Sequence, residues 1–206
     1  MNDRTMRDLP DMPTSMAARE RDHRGLPIPW FVRRPAAGPI DFRVMDINRH
    51  RQALQERRCW VCGQPLVRKM AFVGGPLSAA QRLYSDPPAH PECAVFSAKV
   101  CPFLAIPAAR RREANKSADL EYIPGQVATN PEVFAILISD GFASMGMGVV
   151  RANQAIRVLW YHEGRLASRR EIKAAICVAL QREEVRSSRN AAEIRRLTRE
   201  LPIPAY

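Results

Sequence analysis

No unbroken apolar run reaches the about 18 residues that a membrane-spanning helix needs, and the N-terminal stretch places Asp, Arg and Pro where a secretory leader carries its apolar core. The chain is therefore expected to be soluble, cytoplasmic and without membrane contact. Histidine is scarce, four in all, and no HExxH, Ser-His-Asp order or paired-carboxylate motif stands out, which removes the common hydrolase signatures. Gly141-Phe-Ala-Ser-Met-Gly-Met-Gly148 lacks the Lys-Ser or Lys-Thr of a phosphate loop and the glycine pattern of a dinucleotide loop; it reads as a Met-lined loop turning closely over the core. Aromatic residues make up 7% of the chain, few for stacking bases. Acidic residues are also under-represented, 21 against 32 Lys and Arg, giving a formal charge of +11. That balance favours nucleic acid or another acidic partner, although an Arg-rich composition can also be a merely solvated face.

What is present is a pair of metal-ligand pairs. Five cysteines are too odd a number for a closed disulfide set, and four of the chain's Cys and His residues fall as Cys59-Trp-Val-Cys62-Gly63 and His90-Pro-Glu-Cys93. A two-residue gap lets one turn of backbone aim both side chains at one ion, so the pattern predicts a structural, tetrahedral Zn2+ held by Cys59, Cys62, His90 and Cys93. A CxxC redox motif would have no use for the downstream HxxC. Cys101 competes with His90 for the fourth position. If residues 92–100 are helical, however, Cys101 lies about 12 Å beyond Cys93 along the axis, whereas zinc ligands lie only about 4 Å apart. Cys101 is excluded unless that helix breaks, and then reads as a small buried apolar residue. Four close protein ligands also leave no open position for a catalytic water.

A CxxCG knuckle, a hairpin-like segment over Leu66 to Leu77, and a second ligand pair at a helix start follow the plan of a treble clef. His90-Pro-Glu-Cys93 resembles the HxxC of LIM-type fingers, and Arg57-Arg58-Cys59-Trp-Val-Cys62-Gly63 resembles the entrance to zinc-containing HNH nucleases. More widely, Gly25-Leu-Pro-Ile-Pro-Trp-Phe-Val32, Asp41-Phe-Arg-Val44, the CWVCG knuckle, Pro87-Pro-Ala-His90-x-x-Cys93-Ala94 and Val100-Cys101-Pro-Phe-Leu104 resemble a block shared by uncharacterised bacterial and phage proteins. The resemblance extends towards Asn130-Pro131 and Glu163-Gly164-Arg165-x-x-x-Arg169. It implies no activity, but it does imply that the zinc block and the C-terminal part belong to one fold.

The remaining segments supply the scaffold. Residues 1–24 show no period and read as a mobile arm; 25–206 reads as one α+β domain with the zinc module at about 46–104. Gly25 to Val32 is an extended strap with Leu26, Ile28, Trp30 and Val32 to one side, its prolines suited to a sheet edge. Asp41 to Met45 reads as a short strand, and Ile47, His50, Arg51 and Leu54 predict a helix leading into the knuckle. Glu132 to Ser139 is an apolar run of strand length closed by Asp140-Gly141, the best candidate for a central strand. Ala155 to Tyr161 is another strand, with Ile156, Val158 and Trp160 on one face. Ser168-Arg-Arg-Glu171 is a capping box opening a helix whose stripe is Ile172, Ala175, Ile176, Ala179 and Leu180. After Ser187-Ser188 a last helix carries Ile194, Leu197 and Leu201. The expected architecture is a small antiparallel sheet covered by C-terminal helices, with an embedded treble-clef-like finger.

These features favour a non-enzymatic, zinc-stabilised basic protein, an accessory factor for nucleic acid or an acidic partner. Arg57, Arg58, Arg68 and Lys69 flank the knuckle, and Arg110, Arg111 and Arg112 form an exposed basic loop that could join them in a positive rim. Two readings compete with it. One is an HNH-like nuclease or other hydrolase using His50 or His162, against which Gly63 to Ala89 offers no histidine base. The other is a protein-interaction module of a phage or mobile element.

Overall fold

The computed structural model describes residues 12–106, 131–186 and 188–204. Chain order is α1 (Thr14–Ala17), α2 (Ile47–Gln55), β1 (Met70–Gly74), α3 (Pro76–Gln81), β2 (Leu83–Tyr84), α4 (Pro91–Val100), α5 (Pro102–Ala105), β3 (Val133–Ser139), β4 (Phe142–Gly146), β5 (Val149–Ala152), β6 (Arg157–His162), β7 (Arg165–Leu166), α6 (Arg169–Arg186) and α7 (Ser188–Arg199). Two antiparallel sheets result, one ordered β1-β3-β6-β7 and a smaller one ordered β2-β5-β4. The fold is α+β, as the sequence leads one to expect, and among the described residues no helix is long and apolar enough to cross a membrane.

The larger sheet is covered on both faces, and β3 shows why its sequence is apolar without alternation. Val133 and Ala135 point towards Trp160, Ile172 and Ile176, where α6 packs with Leu201 and Ile203. Ile136 and Ile138 point the other way, into a cluster with Ala71, Tyr161, Cys93, Ala94 and Phe96, where α4 and the knuckle lie. Leu137 joins Met70 and Phe72 against Tyr84, Val150 and Ala152 of the smaller sheet. Continuous register from Met70↔Ser139 to Gly74↔Ala135 and from Val133↔His162 to Ile138↔Arg157 makes β3 a central strand.

The C-terminal part follows local chemistry closely. Tyr161↔Leu166 and His162↔Arg165 close a two-residue hairpin through Glu163 at φ 49° and Gly164 at φ 77°, the primed-turn geometry that matches strand twist. The capping box is formed: the Ser168 amide donates to Glu171 Oε2 at 2.7 Å and the Glu171 amide to Ser168 Oγ at 3.4 Å. After α7 the chain returns so that Trp160 Nε1 donates to the Pro202 carbonyl at 3.0 Å. Glu183, Glu184, Glu193 and Ile194 are outside the described side chains.

Several expectations are corrected. Leu66 to Leu77 is not a hairpin. Gly74-Gly75-Pro76 does not turn β1 back on itself but opens α3, with Pro76 in its first turn, and β1 takes its partner from β3, far along the chain. Asp41 to Met45 is not a strand beyond one bridge, Val32↔Met45, because Asp41 Oδ1 captures the Arg43 amide at 2.9 Å in a side-chain turn. The Gly141 to Gly148 segment is not a loop over the core but half of the β4-β5 hairpin, with Met145 and Met147 exposed at 49% and 79%. Ile156 lies outside β6 and is 57% exposed, not buried beside Trp160. Finally, residues 12–24 are not a free arm. Met16 is buried in the cluster around the cysteines, and Arg21 bridges Pro27 at the start of the strap. Residues 1–11 of that arm lie outside the described residues.

Candidate metal centre

The first ligand pair sits on a tight knuckle. Cys59 donates its amide to the Gln64 carbonyl at 2.8 Å, Gly63 donates to the Cys59 carbonyl at 2.8 Å, and Arg58 bridges Pro65, folding the chain back on itself. Gly63 is required twice over. It adopts φ +82°, and a Cβ there would meet the Trp30 ring at 2.6 Å. The strap explains that contact: Trp30 donates its amide to the Val61 carbonyl at 2.7 Å, laying residues 25–32 across the knuckle. On its other side, Trp60 donates to the Pro88 carbonyl at 3.0 Å, which brings in the second ligand pair.

That second pair is the start of α4. His90 is the N-cap, Pro91 occupies the first turn, and Cys93 follows one turn on. Donor atoms of Cys59, Cys62, His90 and Cys93 all lie within 4.8 Å of one another, and all four residues are buried. Tetrahedral bonds of about 2.0 to 2.3 Å would set ligand atoms about 3.5 Å apart, so small side-chain shifts suffice. His90 is oriented for the task. Its Nε2 lies 3.0 Å from the Pro65 carbonyl, which can only accept, so Nε2 carries the proton and the Nδ1 lone pair faces the sulfurs. Nδ1 is 3.4 Å from Cys62 Sγ and 4.0 Å from Cys93 Sγ. An outer hydrogen bond that fixes the tautomer of a ligating imidazole is the usual arrangement at metal sites.

The sulfurs are supported as well. Amides of His90 and Cys62 donate to Cys59 Sγ at 3.3 and 3.5 Å, and Ser15 Oγ lies 3.3 Å from Cys93 Sγ. The Ser15 contact comes from the segment that the sequence pattern leaves free of the fold, and no spacing in the chain announces it. Proton distribution shows what the cluster needs. A hydrogen bond from Cys59, with Cys93 adding a second, holds Cys62 far below the ordinary thiol range. Cys59 is pushed up to about 11 chiefly by giving its proton to Cys62, and Cys93 is pushed up by its contacts with Cys59 and Cys62 and by burial. Cys59 and Cys93 thus keep their protons while Cys62 gives its own up, and ligation of all three sulfurs by a divalent ion would require release of the remaining two.

Cys101 caps the C-terminal end of an unbroken α4 and stands outside the cluster; it is half-buried rather than fully so. Cys177 is exposed. The two histidines considered for catalysis have other work. His50 is 1% exposed, with Nε2 2.8 Å from the Ser85 carbonyl and its ring edge-on to Trp60 at 5.4 Å. His162 Nδ1 lies 2.9 Å from the Glu132 carbonyl, and Nε2 is 3.6 Å from Glu171. Among the basic residues, Arg68 and Lys69 are exposed between the knuckle and β1. Arg57 is exposed with its guanidinium 5.2 Å above the Phe142 ring. Arg58 is engaged, with Nε donating to Glu56 at 2.6 Å and Nη1 to the Gly63 carbonyl at 3.2 Å, so it braces the knuckle. Arg110, Arg111 and Arg112 lie outside the described residues.

Fold and site together define an α+β protein with a buried Cys3His cluster fit to hold a metal ion. The chain matches no protein-family model, no curated protein and no solved structure.

Proposed function

We propose that the cluster is a closed structural zinc site and that the protein is a non-enzymatic basic module binding nucleic acid through phosphate contacts. The observation that carries this reading is the buried, four-residue donor set: three soft sulfurs and one imidazole suit Zn2+ in tetrahedral coordination, and a filled coordination sphere has no position for a reacting water. A charge of +11 supplies the electrostatic attraction. Arg57, Arg68 and Lys69 give it a local focus beside the knuckle, with Arg110 to Arg112 as its proposed extension. Arg58 serves the knuckle rather than the rim. No base-reading motif accompanies these cations, so recognition should depend weakly on sequence.

Two measurements test the proposal. Elemental analysis of folded protein should return one zinc per chain. Binding to a random-sequence duplex should weaken with salt along a log-log slope of roughly −3 to −6, for about four to six phosphate contacts. Arg68→Ala with Lys69→Ala should flatten the slope by about two, and alanine at Arg110, Arg111 and Arg112 by about two to three, both without lowering thermal stability. No binding at about 50 mM salt would reject nucleic acid as the ligand and turn the search to an acidic protein. Magnesium-dependent cleavage abolished by His162→Ala would replace the reading with a nuclease.

A further inference from the structure

The cysteine cluster is closed on one side by a segment that belongs to neither the knuckle nor α4. α1 is a single turn of four residues with no side-chain cap at Pro13, far too short to hold its shape alone. It is held by what it covers. Met16 is 1% exposed and packs in the cluster that contains Cys59, Cys62 and Cys93. Met12 packs against the same cluster, and residues 12–15 share a cleft with Val95 and Phe96 of α4. Ser15 Oγ stands 3.3 Å from Cys93 Sγ. Behind the turn, the Arg19 amide donates to the Met16 carbonyl at 3.1 Å and Arg19 Nε to the Ile28 carbonyl at 3.0 Å, which fastens the turn to the strap.

Arg19 is half-buried. Among the described residues its guanidinium meets a backbone carbonyl and has no carboxylate within ion-pair distance. The cations beside it are paired, Arg34 with Glu20 at 2.8 Å and Arg49 with Asp46 at 3.8 Å. Burial, first, and the like charges of Arg34 and Arg49 lower the Arg19 pKa, while Cys62 and Glu20 act in the opposite sense; a guanidinium stays charged throughout. Ligation turns three thiols into thiolates, and their three negative charges against the two positive charges of zinc leave one in excess at a buried site. A buried charge is costly unless it is paired. Arg19 is a cation short of an anion, beside a site that gains one.

We propose that residues 12–19 are a clasp that governs metal exchange: Met16 shuts the cluster off from solvent, and Arg19 balances the excess negative charge of the zinc-bound thiolates. The proposal rests on the zinc reading above and is independent of the phosphate-binding surface. A single turn held by a few side chains opens far more readily than paired strands do, so zinc enters and leaves through an opened clasp while both sheets stay folded.

Transfer of zinc from the full, loaded chain to excess 4-(2-pyridylazo)resorcinol, followed by absorbance, tests the clasp. Met16→Ala and Arg19→Gln should each speed transfer about tenfold, the lower end of what loss of an outer-shell partner does to a metal site. Far-ultraviolet circular dichroism of each loaded variant establishes that it is folded; if Met16→Ala is not, the Arg19 variants decide. Arg19→Lys keeps the charge without the planar guanidinium and should release zinc at close to the wild-type rate, which a merely structural role of Arg19 would not give. A wild type that takes up no zinc rejects the metal reading itself, and the clasp with it. A wild type that holds one zinc and releases it no more slowly than the Met16→Ala and Arg19→Gln variants overturns the clasp alone. So does an Arg19→Lys variant as fast as Arg19→Gln.

Discussion

The two faces of the β1-β3-β6-β7 sheet are stabilised by different physics. On one, α4 and the knuckle lie against Ala71, Ile136 and Tyr161, and seven of the cluster's twelve buried residues are cysteine or alanine, small side chains that each release little free energy on burial. The four side chains that could hold a metal ion are buried on this face. On the other, Ile172, Ile176 and Trp160 pack with Val133, Ala135, Leu201 and Ile203 in an ordinary apolar cluster. With the proposed metal bound, stability on the first face would be concentrated in one coordination sphere and should fail all at once. On the second it is spread over many contacts and should fail by degrees.

The largest effect should come from breaking the metal face. Binding of structural zinc amounts to roughly 10 to 16 kcal/mol in small finger peptides, comparable to or above the about 5 to 15 kcal/mol that holds a whole domain. Cys62→Ser or Cys93→Ser is therefore expected to yield insoluble or molten protein with lost near-ultraviolet circular dichroism. Cys101→Ser and Cys177→Ser should behave as wild type. Less than about half a zinc per chain in a well-folded preparation would remove the metal, and with it the contrast.

Ile172→Ala attacks the other face. Ile172 is fully buried at the first turns of α6, and its truncation should cost about 2 to 5 kcal/mol, read as a lower denaturant midpoint. Zinc stoichiometry should stay at one. Zinc lost in proportion to stability would show that the faces are not separable.

A finer probe of the metal face is Ser15→Ala. If Ser15 Oγ–H donates to the bound Cys93 thiolate, its removal should lower zinc affinity by about tenfold in chelator competition, the lower end of outer-shell effects, with little change in the apolar face. Unchanged affinity would reduce residues 12–17 to a packing role around Met16.

The smallest effect belongs to the α6 cap. Arg165, first, and the Ser168 amide hold Glu171 down to about 2 from the ordinary 4.5. Because the folded value is the lower one, the contribution of Glu171 is complete above about pH 4.5 and is lost as pH falls towards 2. Glu171→Gln should flatten that part of the stability profile, and Ser168→Ala should cost about 1 kcal/mol. Acid also protonates the cysteines, so zinc release must be followed separately, by the charge-transfer bands of cobalt-substituted protein.

Legibility in the sequence followed the range of the interaction. Each of the two Cys/His pairs, the capping box, the α2 helix and the exclusion of Cys101 rests on residues within about two turns of each other, and each spacing carries its own geometry. The α6 stripe was legible for the same reason, and with it the sheet that it covers, although the order of strands in that sheet was not. Leu66 to Leu77 misled because Gly-Gly-Pro suits both a hairpin turn and a helix start, and only the presence of β3 as a partner selects the second. Residues 12–24 looked featureless because their anchors, Met16 and Ser15, have no periodic company; the surface they fit is made by α4 and the knuckle.

By itself, then, the sequence determined the donor atoms, the helix that presents two of them, the apolar character of β3 and the excess of positive charge, since each follows from residue type and short spacing. Tertiary structure alone decided which strands would pair with β3 on its two edges, that Arg58 would brace the knuckle while Arg68 and Lys69 stayed in solvent, and that Ser15 and Met16 would meet the cysteine cluster. Those outcomes depend on which distant segments meet. Pairing of strands separated by a long stretch of chain depends on a loop-closure cost and on the summed fit of many side chains, and no single residue encodes either.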